Sequence, residues 1–201
     1  MTHNADTTLP APKPSTGAGT PKWTSCADID WPRWQPQDVA TLTFVFRPEK
    51  PEASRVDEIL LIRKLRGLGA GKINGPGGRL EGEETLVQCA VREVQEELGG
   101  TPLDPVERGR LDFQFVDGYS LRCHVFGTRR FQGSAVETEE AVPLWTPVDR
   151  IPFDQMWSDD ILWFPHLLAQ RPFVGQFIFD DDTMVDVQLR QGVDLRLDMT
   201  L

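Results

Sequence analysis

Gly78-Arg79-Leu80-Glu81-Gly82-Glu83-Glu84-Thr85-Leu86-Val87-Gln88-Cys89-Ala90-Val91-Arg92-Glu93-Val94-Gln95-Glu96-Glu97-Leu98-Gly99 joins a glycine bend to a helix carrying acids along one side. Leu86, Ala90, Val94 and Leu98 recur at helical spacing, and Val87 and Val91 widen the same apolar stripe. Glu93, Glu96 and Glu97 stand at i, i+3 and i+4, so their carboxylates converge on one side of the helix. Glu97 falls at the margin of the apolar stripe rather than opposite it. Acids gathered at the edge of a core repel one another, and the helix gains nothing locally from the cluster. A hard divalent cation removes that conflict, because Mg²⁺ prefers carboxylate oxygens and brings phosphate oxygens with it. A solvated acidic face is the ordinary reading of a Glu-rich helix, and the flanks argue against it here.

Gly67, Gly69, Gly71, Gly75, Gly77 and Gly78 crowd the segment before the helix, around Asn74 and Pro76. Such a run lets the backbone approach a ligand or metal closely. Two familiar phosphate loops are excluded. Ile73 stands where a P-loop after Gly71-Lys72 needs Ser or Thr, and Arg66 stands where its first glycine belongs. Gly67-Leu68-Gly69-Ala70-Gly71 lacks the two residues that precede the third glycine of a dinucleotide loop.

Composition narrows the partners. The formal net charge is -10, which argues against a nucleic-acid polymer and leaves room for a small anionic substrate screened by metal ions. No stretch approaches the roughly 18 apolar residues of a spanning helix, and no signal peptide or membrane anchor is visible. Cys26, Cys89 and Cys123 are odd in number, far apart and without zinc spacing, and read as reduced thiols of a cytoplasmic protein. Pro, Thr, Ala, Gly and Ser dominate Thr7 to Lys22, so residues 1–37 read as a disordered or loosely packed arm. Trp23, Trp31 and Trp34 sit awkwardly in such an arm, since aromatics of that size usually pack. Residues 38–201 then form one domain, expected to be a monomer.

Val39 to Arg47 and Glu58 to Arg63 read as strands, the second cut off by the glycine loop. A helix of about 15 residues follows. Arg108 to Phe115 and Leu121 to Arg129 pair around Asp117-Gly118, and Val142 to Val148 is a further strand. Asp159 to Gln170 reads as a helix with Ser158 or Asp159 as N-cap, and Phe173 to Phe179 and Met184 to Leu189 as a closing hairpin. The order predicts an α/β fold with a central mixed β-sheet sandwiched between helices.

The stretch from Gly78 to Gly99 resembles the Nudix box, the signature of the Nudix hydrolases, at every charged and glycine position; Gly100 alone replaces an aliphatic residue. The string Gly67 to Gly75, and Ile151-Pro152-Phe153 through Trp157-Ser158-Asp159-Asp160 to Trp163-Phe164-Pro165, resemble the branch of that family acting on oxidised purine nucleoside triphosphates. The resemblance covers Val39 to Leu195 and leaves the arm outside.

It implies an enzyme that splits a nucleoside triphosphate into monophosphate and pyrophosphate, with Mg²⁺, or Mn²⁺ in its place, as cofactor. It assigns metal binding to Glu93, Glu96, Glu97, the Gly77 carbonyl and Glu140 (with Glu139 adjacent), and catalysis to Glu97, Glu140, Glu93, Arg92 and Glu84. Glu97 and Glu140 both stand as candidates for the group that takes the water proton. Arg92 is expected to orient the glutamates by a charge-assisted bond with Glu84. Substrate contacts fall to Thr41, Lys64, Asn74, Pro76, Gly77, Gly78, Arg79, Trp157, Asp159, Asp160 and Trp163. Asn74 and the two aspartates would bond the purine edge, and Trp157 would stack on it. Two adjacent carboxylates in an apolar pocket do not both stay ionised, so one is expected to donate while the other accepts.

Leu68, Ile73, Pro76 and Ala141 are smaller or differently shaped than the animal enzymes' side chains, and Ser158 replaces a proline, so substrate ranking does not transfer with the chemistry. Two other readings stand beside this one. One is a Nudix hydrolase of another nucleoside diphosphate derivative (dinucleoside polyphosphate, ADP-ribose, unmodified nucleotide). The other is a non-catalytic nucleotide-binding regulator.

Overall fold

A computed structural model of the chain describes residues 23–48 and 56–195. Ten strands and two α-helices follow in the order β1 (Asp38–Arg47), β2 (Glu58–Lys64), β3 (Ile73–Asn74), α1 (Leu86–Leu98), β4 (Thr101–Leu103), β5 (Val106–Phe115), β6 (Ser120–Thr128), β7 (Arg130–Gln132), β8 (Ala141–Pro147), α2 (Asp160–Leu168), β9 (Phe173–Asp180) and β10 (Thr183–Gln191). The main sheet runs β10-β9-β5-β6-β1-β2-β3, with β8 on the other edge of β2. Strands β1 and β6, and β5 and β9, are parallel; the remaining pairs are antiparallel. The expected mixed sheet is present.

Alternation along the strands explains why a helix lies on each face. Phe44, Phe46, Ile59 and Leu61 point to one side, where they pack with Trp163, Phe164 and Leu167 of α2. Val45, Leu60 and Ile62 point to the other and meet Val94 and Leu98 of α1. The two hairpins fall where the sequence put them, with Gly118 in a left-handed turn conformation between β5 and β6.

Helix α1 is 13 residues long, shorter than the pattern suggested. Thr85 accepts from the Gln88 backbone and Gln88 reaches back to the Thr85 N–H, and Gly99 closes the helix in the left-handed conformation. The buried stripe also differs from the expected one. Val87 is exposed, and Cys89, Glu93 and Glu97 take the place of Val87 and Val91 beside Ala90, Val94 and Leu98. The helix is rolled so that Glu93 and Glu97 are buried while Glu96 stays exposed.

Strand β1 diverges from β2 after their short pairing, and the bend 75–80 enters the gap. Thr43 N donates to Pro76 O (2.8 Å), Thr41 N to Gly78 O (2.9 Å) and Leu80 N to Val39 O (2.9 Å). The bend thus lies alongside β1 like an extra strand. A side chain at Gly77 would overlap the Thr41 carbonyl, and one at Gly78 would overlap the Glu93 carboxylate. These contacts explain the glycines better than flexibility does.

The arm expected through residue 37 needs correction from Trp23 onward; residues 1–22 lie outside the described residues. Ser25 Oγ and Cys26 N both donate to Asp186 on β10 (2.9 and 2.7 Å), and Cys26 is buried. Trp34 Nε1 donates to Gln114 Oε1 (2.8 Å), and Gln37 N donates to Ser120 O (3.1 Å). These bonds hold the segment against β5, β6 and β10. Asp159, one of the two expected caps, occupies the N-cap position of α2, but its side chain makes no cap hydrogen bond.

Candidate active site

Three walls surround an open cavity. Strand β1 and the glycine bend form one wall, β5, β6 and β9 another, and the start of α2 the third. Leu111, Phe113, Phe115, Leu121 and Phe179 make the strand wall apolar, which alternation places there and single-residue motifs do not announce. Thr41, Lys64, Asn74, Gly77, Gly78, Trp157, Asp159, Asp160 and Trp163 also line it, so nine of the eleven expected substrate residues are brought together.

Pro76 and Arg79 are the exceptions. They belong to the part of the bend that pairs with β1. Pro76 gives its carbonyl to Thr43 N, and Arg79 is held by Asp38 at 3.2 Å, which also accepts from Tyr119 Oη (2.9 Å). Thr41 lines the cavity while its hydroxyl contacts Cys89 Sγ at 3.4 Å. Trp163 is fully buried, packed on Phe44, Phe164 and Phe173, and serves the core as well as the cavity.

Both Asp159 and Asp160 are buried at the start of α2. Asp159 Oδ2 accepts from Trp163 Nε1 (2.9 Å), and Asp160 Oδ2 accepts from Trp157 N (3.1 Å). Burial raises both carboxyl pKa values, and the neighbouring Asp159 charge raises Asp160 further. This environment disfavours ionisation of both carboxyls at once.

The acids of α1 do not line the cavity but lie behind its edge, where Glu97 bonds Lys64 and Gly77. Glu97 is 1% exposed; its Oε2 accepts from Gly77 N (2.8 Å) and its Oε1 from Lys64 Nζ (3.0 Å). Lys64 Nζ also donates to Gly77 O at 3.4 Å. Burial pushes Glu97 up against the pull of Lys64, and the Glu140 charge adds to the rise. Burial also raises Glu93, to about 7, although Arg92 opposes it. Arg92 Nε and Nη2 clasp both oxygens of Glu84 (3.1 and 2.7 Å), while Nη1 donates to Glu93 Oε1 and Glu96 Oε2 (both 2.9 Å). The bonds from Arg92 depress Glu84, and Glu84 in turn strengthens Arg92 as a base. The expected Arg92–Glu84 pair is therefore present, and the same guanidinium organises two further acids.

Glu140 sits just before β8 and pairs with Arg66. Thr138 Oγ1 donates to Glu97 O (2.9 Å) and accepts from Glu140 N (3.1 Å), which ties the Glu140 turn to the end of α1. Arg66 was given no site role from sequence; its place two residues beyond Lys64 on the glycine loop was the available signal.

Among the described residues no three acidic, histidine or cysteine side chains converge as a ready ligand cage. Each acid is instead turned to a cationic side chain: Glu93 and Glu96 to Arg92, Glu97 to Lys64, Glu140 to Arg66. The donor set nonetheless fits a hard divalent cation. Glu97 Oε1 and the Gly77 carbonyl already converge on one positive group, the Lys64 ammonium, and all the donors are oxygens of the kind Mg²⁺ takes.

A mixed sheet between helices, with glutamates at a glycine bend beside an apolar cavity, has counterparts among known proteins. The NUDIX domain model matches residues 36–167. The oxidized purine nucleoside triphosphate hydrolase of Danio rerio is 40% identical over 158 residues, covering 77% of this chain and 96% of that protein. The protein of the same name from Mus musculus is 38% identical over 154 residues, covering 75% and 93%. A mutator MutT protein from Bacillus halodurans superposes with a TM-score of 0.65 at 24% identity, covering 76% of this chain and 97% of that one, and this likeness concerns the fold. The chain belongs to the NUDIX family.

Proposed function

We propose that this protein hydrolyses oxidised purine nucleoside triphosphates to the monophosphate and pyrophosphate, removing damaged nucleotides from the pool. One observation carries the reading: Lys64 lines the aromatic, aspartate-floored cavity and is hydrogen-bonded to Glu97 of the acidic helix. A base seated against Asp159 and Asp160 would therefore extend its phosphates toward the glutamates. The relatives named for this activity span most of both chains, which supports the same reading.

Glu93, Glu96, Glu97, Glu140 and the Gly77 carbonyl are the oxygens that would hold Mg²⁺ or Mn²⁺. When bound, the ion supplies charge neutralisation at the phosphate oxygens and lowers the pKa of water. Arg92 keeps Glu84, Glu93 and Glu96 in one arrangement, and Lys64 is placed to move from Glu97 to a phosphate oxygen. Glu97 and Glu140 are the two candidates that would accept a proton from the attacking water. At the other end, a proton shared by Asp159 and Asp160 would give the base edge one donor and one acceptor, suited to 8-oxoguanine and 2-hydroxyadenine, and Trp157 offers a stacking face. The buried, unpaired Cys26, Cys89 and Cys123 support a cytoplasmic setting, and we place the protein there as a monomer. Among the described residues no helix is long and apolar enough to cross a membrane.

Steady-state kinetics with 8-oxo-dGTP, 2-hydroxy-dATP, dGTP and dATP tests the proposal. The oxidised bases should show the higher kcat/KM. A higher value for dinucleoside polyphosphate or ADP-ribose would transfer the activity to another substrate.

A further inference from the structure

The glycine loop over the cavity mouth is fastened by two basic residues that the reaction does not use. Arg63 Nη1 donates to Gly71 O (3.2 Å) and its Nη2 to Gln155 Oε1 (2.9 Å), two residues before Trp157. Lys72 Nζ lies 3.1 Å from Asp182 in the β9–β10 turn and 4.8 Å from the centroid of the Trp157 ring. The loop backbone also rests on that ring. Gly69 is in the left-handed region (φ +79), and a Cβ there would stand 3.1 Å from Trp157 Nε1. Phe179 braces the indole edge-on at 6.0 Å.

We propose that Lys72 is a positioning residue for the base cavity: held by Asp182, its ammonium fixes the glycine loop and the Trp157 indole as a single wall. The ion pair itself contributes little to stability, because Asp182 is 61% exposed. Its value is geometric. A cation against an aromatic face is directional enough to hold one orientation of the ring, and Leu68 of the same loop lines the cavity. Lys72 also acts on the cavity floor, since its charge opposes the rise in the Asp160 pKa. This assignment rests on the proposed function for the identity of the base, but not for the latch.

The test compares full-length wild type with Lys72→Met, Lys72→Arg, Asp182→Asn and the Lys72→Met/Asp182→Asn double variant. With 8-oxo-dGTP and saturating Mg²⁺, Lys72→Met should raise KM about fivefold with a much smaller change in kcat. Lys72→Arg should recover most of that loss, Asp182→Asn should lose less than Lys72→Met, and the double variant should be no worse than Lys72→Met. Unchanged KM in Lys72→Met, a loss confined to kcat, or no recovery in Lys72→Arg overturns the proposal. Hydrogen exchange of the amides of residues 66–72 gives a second reading without substrate. Lys72→Met should accelerate them while α1 exchanges as in wild type; unaltered loop exchange also overturns the latch. Absence of purine triphosphate turnover in wild type defeats the functional proposal and leaves the exchange result to decide the latch.

Discussion

Lys64 Nζ stands 3.0 Å from Glu97 Oε1 and 3.4 Å from the Gly77 carbonyl, so one β2 side chain joins the acidic helix to the glycine bend at the edge of the cavity. Lys64 is largely buried and Glu97 almost wholly so. Removal of one partner from such a pair leaves a desolvated charge.

Lys64→Met should therefore lower metal-free stability by about 2–3 kcal/mol at pH 8. The loss should shrink at pH 5, because burial raises the Glu97 pKa and the protonated acid needs no cation. Added Mg²⁺ should recover more stability in Lys64→Met than in wild type. Urea unfolding with and without Mg²⁺ at both pH values measures this.

Glu97→Gln keeps the shape of the side chain and removes its charge. Turnover should fall by at least about 100-fold, the scale of lost electrostatic stabilisation. Single-turnover kinetics at saturating Mg²⁺ reads the loss, and near-normal turnover contradicts the role given to Glu97.

Gly78 faces the Glu93 carboxylate with no room for a methyl group, and Gly77 faces the Thr41 carbonyl. Gly78→Ala should reduce turnover by displacing Glu93, with a modest stability cost. Gly77→Ala pushes backbone against backbone and should cost about 1–3 kcal/mol or more in thermal or urea unfolding. Equal stability losses in the two variants would contradict this division.

Asp159 and Asp160 have raised pKa values in the folded state, so the native protein holds protons that the unfolded chain releases. Their contribution to stability falls as pH rises above the unfolded aspartate value of about 3.9 and through the folded values. Asp160→Asn removes the Asp160 share of that dependence and leaves that of Asp159. Relative to wild type its stability should rise between pH 4 and pH 8, while it loses preference for oxidised over normal purines. Unfolding at the two pH values and competition between 8-oxo-dGTP and dGTP measure the two effects separately.

Much of this arrangement was legible because it is written locally. The spacing of Glu93, Glu96 and Glu97 sets one helix edge, and Gly78 and Arg92 sit in the same short stretch. Long strands such as β1 and β9 carry enough β-branched and aromatic residues to be read, whereas β3, β4 and β7 span two or three residues and have no pattern. The proximity of Glu140 to Glu97 depends on how β8 pairs with β2, and only resemblance anticipated it. The double role of Lys64 depends on the same register. The resemblance places Arg79 among the substrate contacts, yet pairing of the bend with β1 delivers it to Asp38. The Trp23–Trp34 segment shows composition misleading: its flanking Pro and Ser residues suggest looseness, while Cys26 and Trp34 find partners on β10 and β5.

The central claim is that metal-assisted hydrolysis occurs where the glycine bend meets the acidic helix. Its most direct test is the identification of products from 8-oxo-dGTP as Mg²⁺ is titrated. Release of pyrophosphate and monophosphate in equal amounts, rising with Mg²⁺ and absent under chelation, is the predicted result; orthophosphate release, or turnover indifferent to Mg²⁺, would contradict it.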